Sequence, residues 1–192
     1  MRESVEPESF QCTTPSPGSA HNCFAFRKWA ASSFEWLRAF GTIPAVICVH
    51  TSSQTLDLLD DHASLQRCYV VSTSRFGLGF EPGSNCTPTG RFRIAEKIGD
   101  GAAQGEIFVG RQPTGQNGQE GDQEDRVQTR ILWLDGLDSE NANTRSRYIY
   151  IHGTSAESEL GIPTSHGCVR MSNRDVIDLF DRVSVGESVI IE

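Results

Sequence analysis

Arg147-Tyr148-Ile149-Tyr150-Ile151-His152-Gly153-Thr154, followed after a short interval by Thr164-Ser165-His166-Gly167-Cys168-Val169-Arg170-Met171-Ser172, carries the pattern that decides how this chain folds. Over 147–152 the side chains alternate, placing Tyr148, Tyr150 and His152 on one side of an extended segment. Ser172 has the chemistry of a helix cap, because its hydroxyl can accept from the backbone of Asp175 at the third helical position. Asn173–Arg182 then brings Val176, Ile177, Leu179 and Phe180 round at helical spacing, with Val183 just beyond. Cys168 falls in the loop between this strand and this helix. Gly186 interrupts, and Ser188–Ile191 reads as a closing strand.

Upstream, a period of two recurs in short pieces. Ile43–Val49 is apolar and β-branched, and Thr55–Leu59 and Leu65–Ser72 follow, with Asp60, Asp61 and His62 marking a turn between them. Gly77, Gly79, Pro82 and Gly83 punctuate a loop that ends at Thr87-Pro88-Thr89-Gly90. A strand over Arg91–Ile98 leaves that turn with Phe92 and Ile94 on one face. Glu106–Val109 and Val127–Leu134 are further strands, separated by a polar loop over 112–125 rich in Gln and Gly. Many short strands around one helix predict a mainly β domain over 43–192, an antiparallel sandwich or a closed barrel-like sheet.

Residues 1–42 form an N-terminal extension. Its first 23 residues are rich in Ser, Pro, Thr and Glu and cannot bury enough surface to order themselves. Residues 24–40 have helical periodicity in Phe26, Trp29, Ala30, Phe34, Leu37 and Phe40, an amphipathic helix suited to docking against the following domain.

Composition narrows the function classes. With 37% hydrophobic and 22% charged residues the chain reads as ordinary and globular, and no run approaches the ~18 apolar residues of a membrane span. A formal net charge of −8, with Lys28 and Lys97 as the only lysines, argues against nucleic acid or an anionic membrane as partner. Glu120, Asp122, Glu124 and Asp125 read as a solvated acidic loop. The six cysteines, Cys12, Cys23, Cys48, Cys68, Cys86 and Cys168, match no zinc-ribbon spacing. Cys48 and Cys68 lie in strand segments that could be neighbours. Arg2 is followed by Glu3, Glu6 and Glu8 with no apolar h-region behind them, which by sequence alone points to the cytoplasm.

The chemistry gathers between His152 and Cys168. A thiol of pKa ~8.5 is mostly protonated at neutral pH, so a nucleophilic cysteine needs an imidazole to take its proton. His152, at the end of a strand, is a fixed base; Cys168, in a loop, is a partly exposed thiol. Gly167 has no β-carbon, so a substrate can approach its backbone closely, and the amides of Gly167 and Cys168 could together stabilise a tetrahedral oxyanion. Two other readings stand at this point: a core or surface pair without chemistry, and a zinc site with His152, His166 and Cys168 as ligands and water as the fourth.

The literal strings add more. His152-Gly153-Thr154 with Ser165-His166-Gly167-Cys168-Val169-Arg170-Met171 resembles the signature of the L,D-transpeptidase catalytic domain. Val46-Ile47-Cys48-Val49, Ser53-Gln54-Thr55-Leu56-Asp57-Leu58-Leu59, Val71-Ser72-Thr73-Ser74, Thr87-Pro88-Thr89-Gly90-Arg91-Phe92, Leu160-Gly161-Ile162-Pro163 and Val185-Gly186-Glu187-Ser188-Val189-Ile190-Ile191 resemble the family in the same order, over roughly 43–191. The resemblance implies a β-sandwich-like fold and a peptidoglycan enzyme whose partners are stem peptides. By carry-over, Cys168 attacks a tetrapeptide stem and expels its terminal D-alanine. His152 serves as base and then acid, with its second ring nitrogen held by the carbonyl of Gly153, and Gly167 and Cys168 give oxyanion donors. His166 shapes the loop, and Arg170 stands where other members carry asparagine. An amine of a neighbouring stem then resolves the thioester, with neither metal nor cofactor.

Arg170, Ser165, Tyr148, Arg130 and Arg147 are the expected substrate-binding residues, the arginines as partners for substrate carboxylates. The interval from His152 to Ser165 is at the short end for the family. A hydrolase using the same Cys–His pair, an L,D-carboxypeptidase or endopeptidase, is the near alternative. A non-catalytic zinc or peptidoglycan-binding module is the distant one. The substrate implies the periplasm or cell envelope, in tension with the missing export signal.

Overall fold

The computed structural model describes residues 45–120 and 126–192. The expected N-terminal helix and the acidic residues Asp122, Glu124 and Asp125 lie outside them. Pro44–Glu192 forms one compact unit. Its described residues form ten strands: β1 Val46–His50, β2 Thr55–Leu59, β3 Leu65–Ser72, β4 Gly90–Ile98, β5 Glu106–Val109, β6 Gln112–Asn117, β7 Gln128–Gly136, β8 Tyr150–Gly153, β9 Val169–Met171 and β10 Ser188–Ile191. One helix, α1, spans Asn173–Arg182, and a 3₁₀ turn covers Glu157–Glu159.

The strands are ordered β4-β10-β1-β2-β3-β9-β8-β7, and β7 pairs back to β4, which closes the sheet into a barrel-like ring. The hairpin β5–β6 hangs on β7 outside the ring. Closure removes the open sheet edges that would otherwise template association. Most neighbours are antiparallel; β1 with β10 and β8 with β9 are parallel.

The core follows from the alternation. Ile47 and Val49, Leu56 and Leu58, Phe92 and Ile94, Leu132 and Leu134, Val169 and Met171, and Val189 and Ile191 all turn into one buried cluster. Helix α1 adds Val176, Leu179 and Phe180, with Val183 after it. Its ends are satisfied as the sequence predicts at one side only. Ser172 Oγ accepts from the Asp175 amide at 3.0 Å, whereas the last carbonyls are met by Lys97, whose Nζ donates to Phe180 O and Val183 O at 2.6 Å each.

Four local expectations change. The predicted loop over 112–125 begins as strand β6, because Gly110 and Arg111 both take positive φ (56° and 68°) and make the two-residue turn that a hairpin favours. The predicted strand over 147–152 starts only at Tyr150. Tyr148 has φ +58°, its amide donating back to Arg145 O, which breaks the Tyr148–Tyr150–His152 alternation. Val169–Met171, read as loop, is a strand. Cys48 and Cys68 are both in register with Asp57, on opposite sides of β2. Two strand spacings put them about 9–10 Å apart, too far for a disulfide.

At the ring's first and last strands, His50 Nδ1 lies 3.0 Å from Glu192 and its Nε2 3.4 Å from Asp57. The hydrogen bond with Asp57 raises the His50 pKa, burial opposes it, and Glu192 adds to the rise. The fold therefore favours the protonated ring, giving stability that is fully present below about pH 6.5 and fades as pH climbs through the raised value. His50→Gln should lower the melting temperature clearly at pH 5.5 and hardly at pH 9; an equal loss at both would refute this account.

Candidate functional site

Strands β8 and β9 run parallel, with Ile151 beside Val169, His152 beside Arg170 and Gly153 beside Met171. Ile151, Val169 and Met171 belong to the core. By alternation His152 and Tyr150 turn to the opposite face of the sheet, where Cys168 packs with Tyr150, Ile131 and Phe108. The parallel register thus places the imidazole and the sulfur on one face of adjoining strands, His152 being 2% exposed and Cys168 partly so.

His152 is fixed. Its Nδ1 lies 2.8 Å from Gly153 O, and since a carbonyl only accepts, Nδ1 carries the hydrogen and the neutral ring keeps its lone pair on Nε2. Gly153 is fixed in turn: a β-carbon there would sit 2.4 Å from Asn173 Oδ1 and 2.9 Å from Gln128 O. Asn173, at the start of α1, donates to Thr154 O at 2.9 Å and Gln128 Oε1 at 3.1 Å, and accepts from Thr129 Oγ1 at 2.5 Å. Thr129 has φ +67°, within the register shift between β7 and β8. A β-branched residue in this region is strained by about 1–3 kcal/mol, and it stands across from the His152–Gly153 peptide.

Around the sulfur, the Tyr150 amide donates to Sγ at 3.4 Å and the thiol reaches Tyr148 O at 3.5 Å. The preceding loop is pinned on two sides. Ser165 bridges to Ser74, its amide donates to Thr73 O at 2.9 Å, and Thr87 Oγ1 donates to Gly167 O at 3.0 Å. Gly167 has φ +118°, which favours glycine. Its amide departs from expectation: it donates to Ser165 Oγ at 3.2 Å, and that hydroxyl donates on to Cys168 O at 2.6 Å. The Gly167 N–H is thereby spent inside the loop, and the Tyr150 amide is the donor that meets the sulfur.

The five expected substrate-binding residues separate. Tyr148, 54% exposed, and Arg147 line an open cleft of about 270 Å³ with Pro82, Asn85, Ile149 and His166. Arg147 donates to Gly79 O at 3.0 Å and Cys86 O at 2.7 Å; burial lowers its pKa, and Cys86 and Cys168 act to raise it. The other three are placed by the fold away from a ligand role, and each corrects the expectation. Ser165 is wholly buried in the loop. Arg170, 2% exposed, donates to Ser72, Thr164 and Glu159 and so ties the 159–164 segment to the barrel. Arg130, 7% exposed, donates to Ala102 O and Thr129 O and lies over Phe180. A guanidinium in a short strand looks the same in sequence whether it faces water or backbone carbonyls.

His166 is exposed, with Nε2 2.6 Å from Arg75 and its ring 5.7 Å from Phe76. A guanidinium there is a poor neighbour for a cation, and among the described residues no three His, Cys, Asp or Glu side chains gather to hold a metal. Asn173, Thr129 and the Tyr150 amide carry no motif that sequence reading would single out, and Thr87, though part of the Thr87–Phe92 string, has no site role legible there; only the fold joins them to the pair.

The model of the L,D-transpeptidase catalytic domain matches residues 44–191. YqjB of Bacillus subtilis, named as a candidate L,D-transpeptidase, is 27% identical over 148 residues, covering 77% of this chain and 70% of that protein. Among solved structures, an L,D-transpeptidase from Xylanimonas cellulosilytica aligns with TM-score 0.52 and 19% identity, over 80% of this chain and 62% of that one. L,D-transpeptidase 3 from Mycobacterium tuberculosis, in complex with a faropenem-derived adduct, aligns with TM-score 0.51 and 20% identity, over 78% and 60%. The chain thus spans less than two thirds of these solved chains, whose likeness carries the fold. On the family match across its whole barrel, this chain belongs to the L,D-transpeptidase catalytic domain family.

Proposed function

We propose that residues 43–192 form a peptidoglycan L,D-transpeptidase in which Cys168 is the nucleophile and His152 its base. The observation that carries this reading is the shared face of β8 and β9, with a partly exposed sulfur on the same side as an imidazole whose Nδ1 is pinned by Gly153. His152 Nε2 takes the thiol proton, and the sulfur attacks the carbonyl of the third residue of a tetrapeptide stem. The Arg147 charge, which Cys168 feels, favours sulfur as thiolate. Backbone amides near the sulfur hold the oxyanion, each such donor being worth about 10²–10³ in rate. The imidazolium then protonates the departing nitrogen, releasing D-alanine and leaving a thioester. A neighbouring stem's amine resolves it. The substrate sets the site of action at the cell envelope.

Incubating the protein with tetrapeptide muropeptides and weighing the products tests this. Cross-linked dimers support transfer, and tripeptides alone would instead make the protein an L,D-carboxypeptidase. Imipenem gives a second probe, since the likeness to a solved L,D-transpeptidase bound to imipenem extends over 78% of this chain.

Cys168→Ser should lose the imipenem mass adduct completely; an adduct that persists removes Cys168 from the nucleophile role. His152→Ala should stay folded and acylate at least about 10²-fold more slowly, and wild-type kinetics in that variant would dismiss it as base. Asn173→Ala leaves the polar atoms around Gly153 unmatched, at roughly 1–3 kcal/mol. It should slow acylation about tenfold and displace its pH profile, whereas an unmoved profile would restrict Asn173 to capping the helix.

A further inference from the structure

Next to Cys168, the outer face of the sheet carries a cluster of rings that the acylation step does not use. Trp133 of β7 stacks on Tyr148, with centroids 5.9 Å apart and planes 26° apart, and Tyr150 meets Trp133 edge-on at 5.7 Å. Arg111, at the tip of the β5–β6 hairpin, reaches across to them. Its guanidinium carbon lies 4.6 Å from the Trp133 ring centre and 5.4 Å from that of Tyr148, and it donates to Tyr150 Oη at 3.4 Å. Ring faces are electron-rich, so a cation is the natural occupant. The cluster is continuous with the nucleophile. Trp133, Tyr150 and Cys168 pack in one group, and Tyr148 O and Tyr150 N are the backbone atoms beside the sulfur.

The hold on Arg111 is light. Every residue of β6 is exposed, the hydrogen bond to Tyr150 is long, and although β5 is anchored by the buried Ile107 and Phe108, the Gly110–Arg111 turn lies beyond that anchor and leads into β6. A second guanidinium over Trp133, that of Arg145 at 4.8 Å, is held differently: it pairs with Glu96 at 3.6 Å, and its own carbonyl accepts from Trp133 Nε1 at 3.2 Å. Of the two, Arg111 is the one a competing cation can replace.

We propose that Trp133, Tyr148 and Tyr150 form the subsite for the acceptor's ammonium group, which displaces the chain's own Arg111 from the rings. This rests on the acyl-transfer reading of Cys168 and names what resolves the thioester: a primary amine on a flexible side chain, which arrives protonated at neutral pH. Held at the rings, the ammonium gives one proton to His152. Its nitrogen forms the C–N bond as the C–S bond breaks, and a second nitrogen proton passes to the leaving sulfur. Water carries no charge for the rings to hold, so the subsite also biases the thioester toward transfer over hydrolysis.

Displacement has a directional signature that a wall residue lacks. The full chain is given a tetrapeptide donor and increasing amounts of a tripeptide whose third residue bears a free side-chain amine, and dimers and tripeptides are counted by mass. Arg111→Ala should lower the acceptor KM about three- to tenfold and raise the ratio of dimer to hydrolysed product. Trp133→Leu should raise that KM by a similar factor, with Trp133→Phe, which keeps a ring, falling between. An acceptor KM unchanged or raised in Arg111→Ala overturns the proposal. So does a Trp133→Leu variant that still forms the imipenem adduct and keeps the wild-type acceptor KM. Failure of the wild-type protein itself to form the imipenem adduct removes the acyl-transfer reading, and the subsite with it. An adduct present alongside a contrary KM sinks the subsite alone.

Discussion

The hydrogen bond from His152 Nδ1 to the carbonyl of Gly153 is the contact on which the site depends, and a large share of the surrounding structure keeps that carbonyl in place. A carbonyl can orient an imidazole only if the peptide carrying it is immobile. Here the peptide is held by strand pairing to Gln128 and Met171, and by Asn173 at the head of α1. Ser172, one residue earlier, fixes that head by capping the helix. A helix cap, a buried amide and a ring tautomer are therefore links of one chain. The buried amide is fully engaged, which is the condition under which polar groups in an interior rigidify instead of destabilise.

Strain sits beside this arrangement. Thr129 and Tyr148 both have positive φ, and neither is a residue that adopts it freely. Thr129 lies opposite the His152–Gly153 peptide, and Tyr148 presents its carbonyl to Cys168. Each conformation is tolerable because many neighbours hold it: Thr129 through Gly105, Asn173 and Arg130, Tyr148 through Trp133 and the 141–147 turn. The barrel supplies rigidity that two local energy minima would not, and it does so at two backbone points close to the reacting groups.

The sequence was legible where the physical signal is local. Alternation in Ile47–Val49, Phe92–Ile94 and Leu132–Leu134 marks strands because one face of each is buried, and Ser172 with Asp175 marks a helix start because the cap is made by side chain and backbone three residues apart. The His152 and Cys168 pair was legible as a string, and the parallel β8–β9 pairing brings its two ends to one face. What could not be read depends on distant partners. Arg170 and Arg130 look like surface cations until the fold surrounds them with Ser72, Thr164 and backbone carbonyls. Val169–Met171 is too short to show periodicity and becomes a strand only by lying between β3 and β8. Arg111 carries no signal in the sequence, and its place over Trp133 follows from a hairpin turn that the polar composition of 112–117 conceals.

The parallel pairing of β1 with β10 also has a consequence for synthesis. The two strands are joined through His50 and Glu192, which stand 142 positions apart. Of the ring strands β1 is made first, and one of its edges stays unfilled until β10 has been made. Ring closure is thus dominated by long-range contacts, which places this barrel among slowly folding topologies. During that wait the apolar edge of Val46–Val49 is the segment most in need of a chaperone.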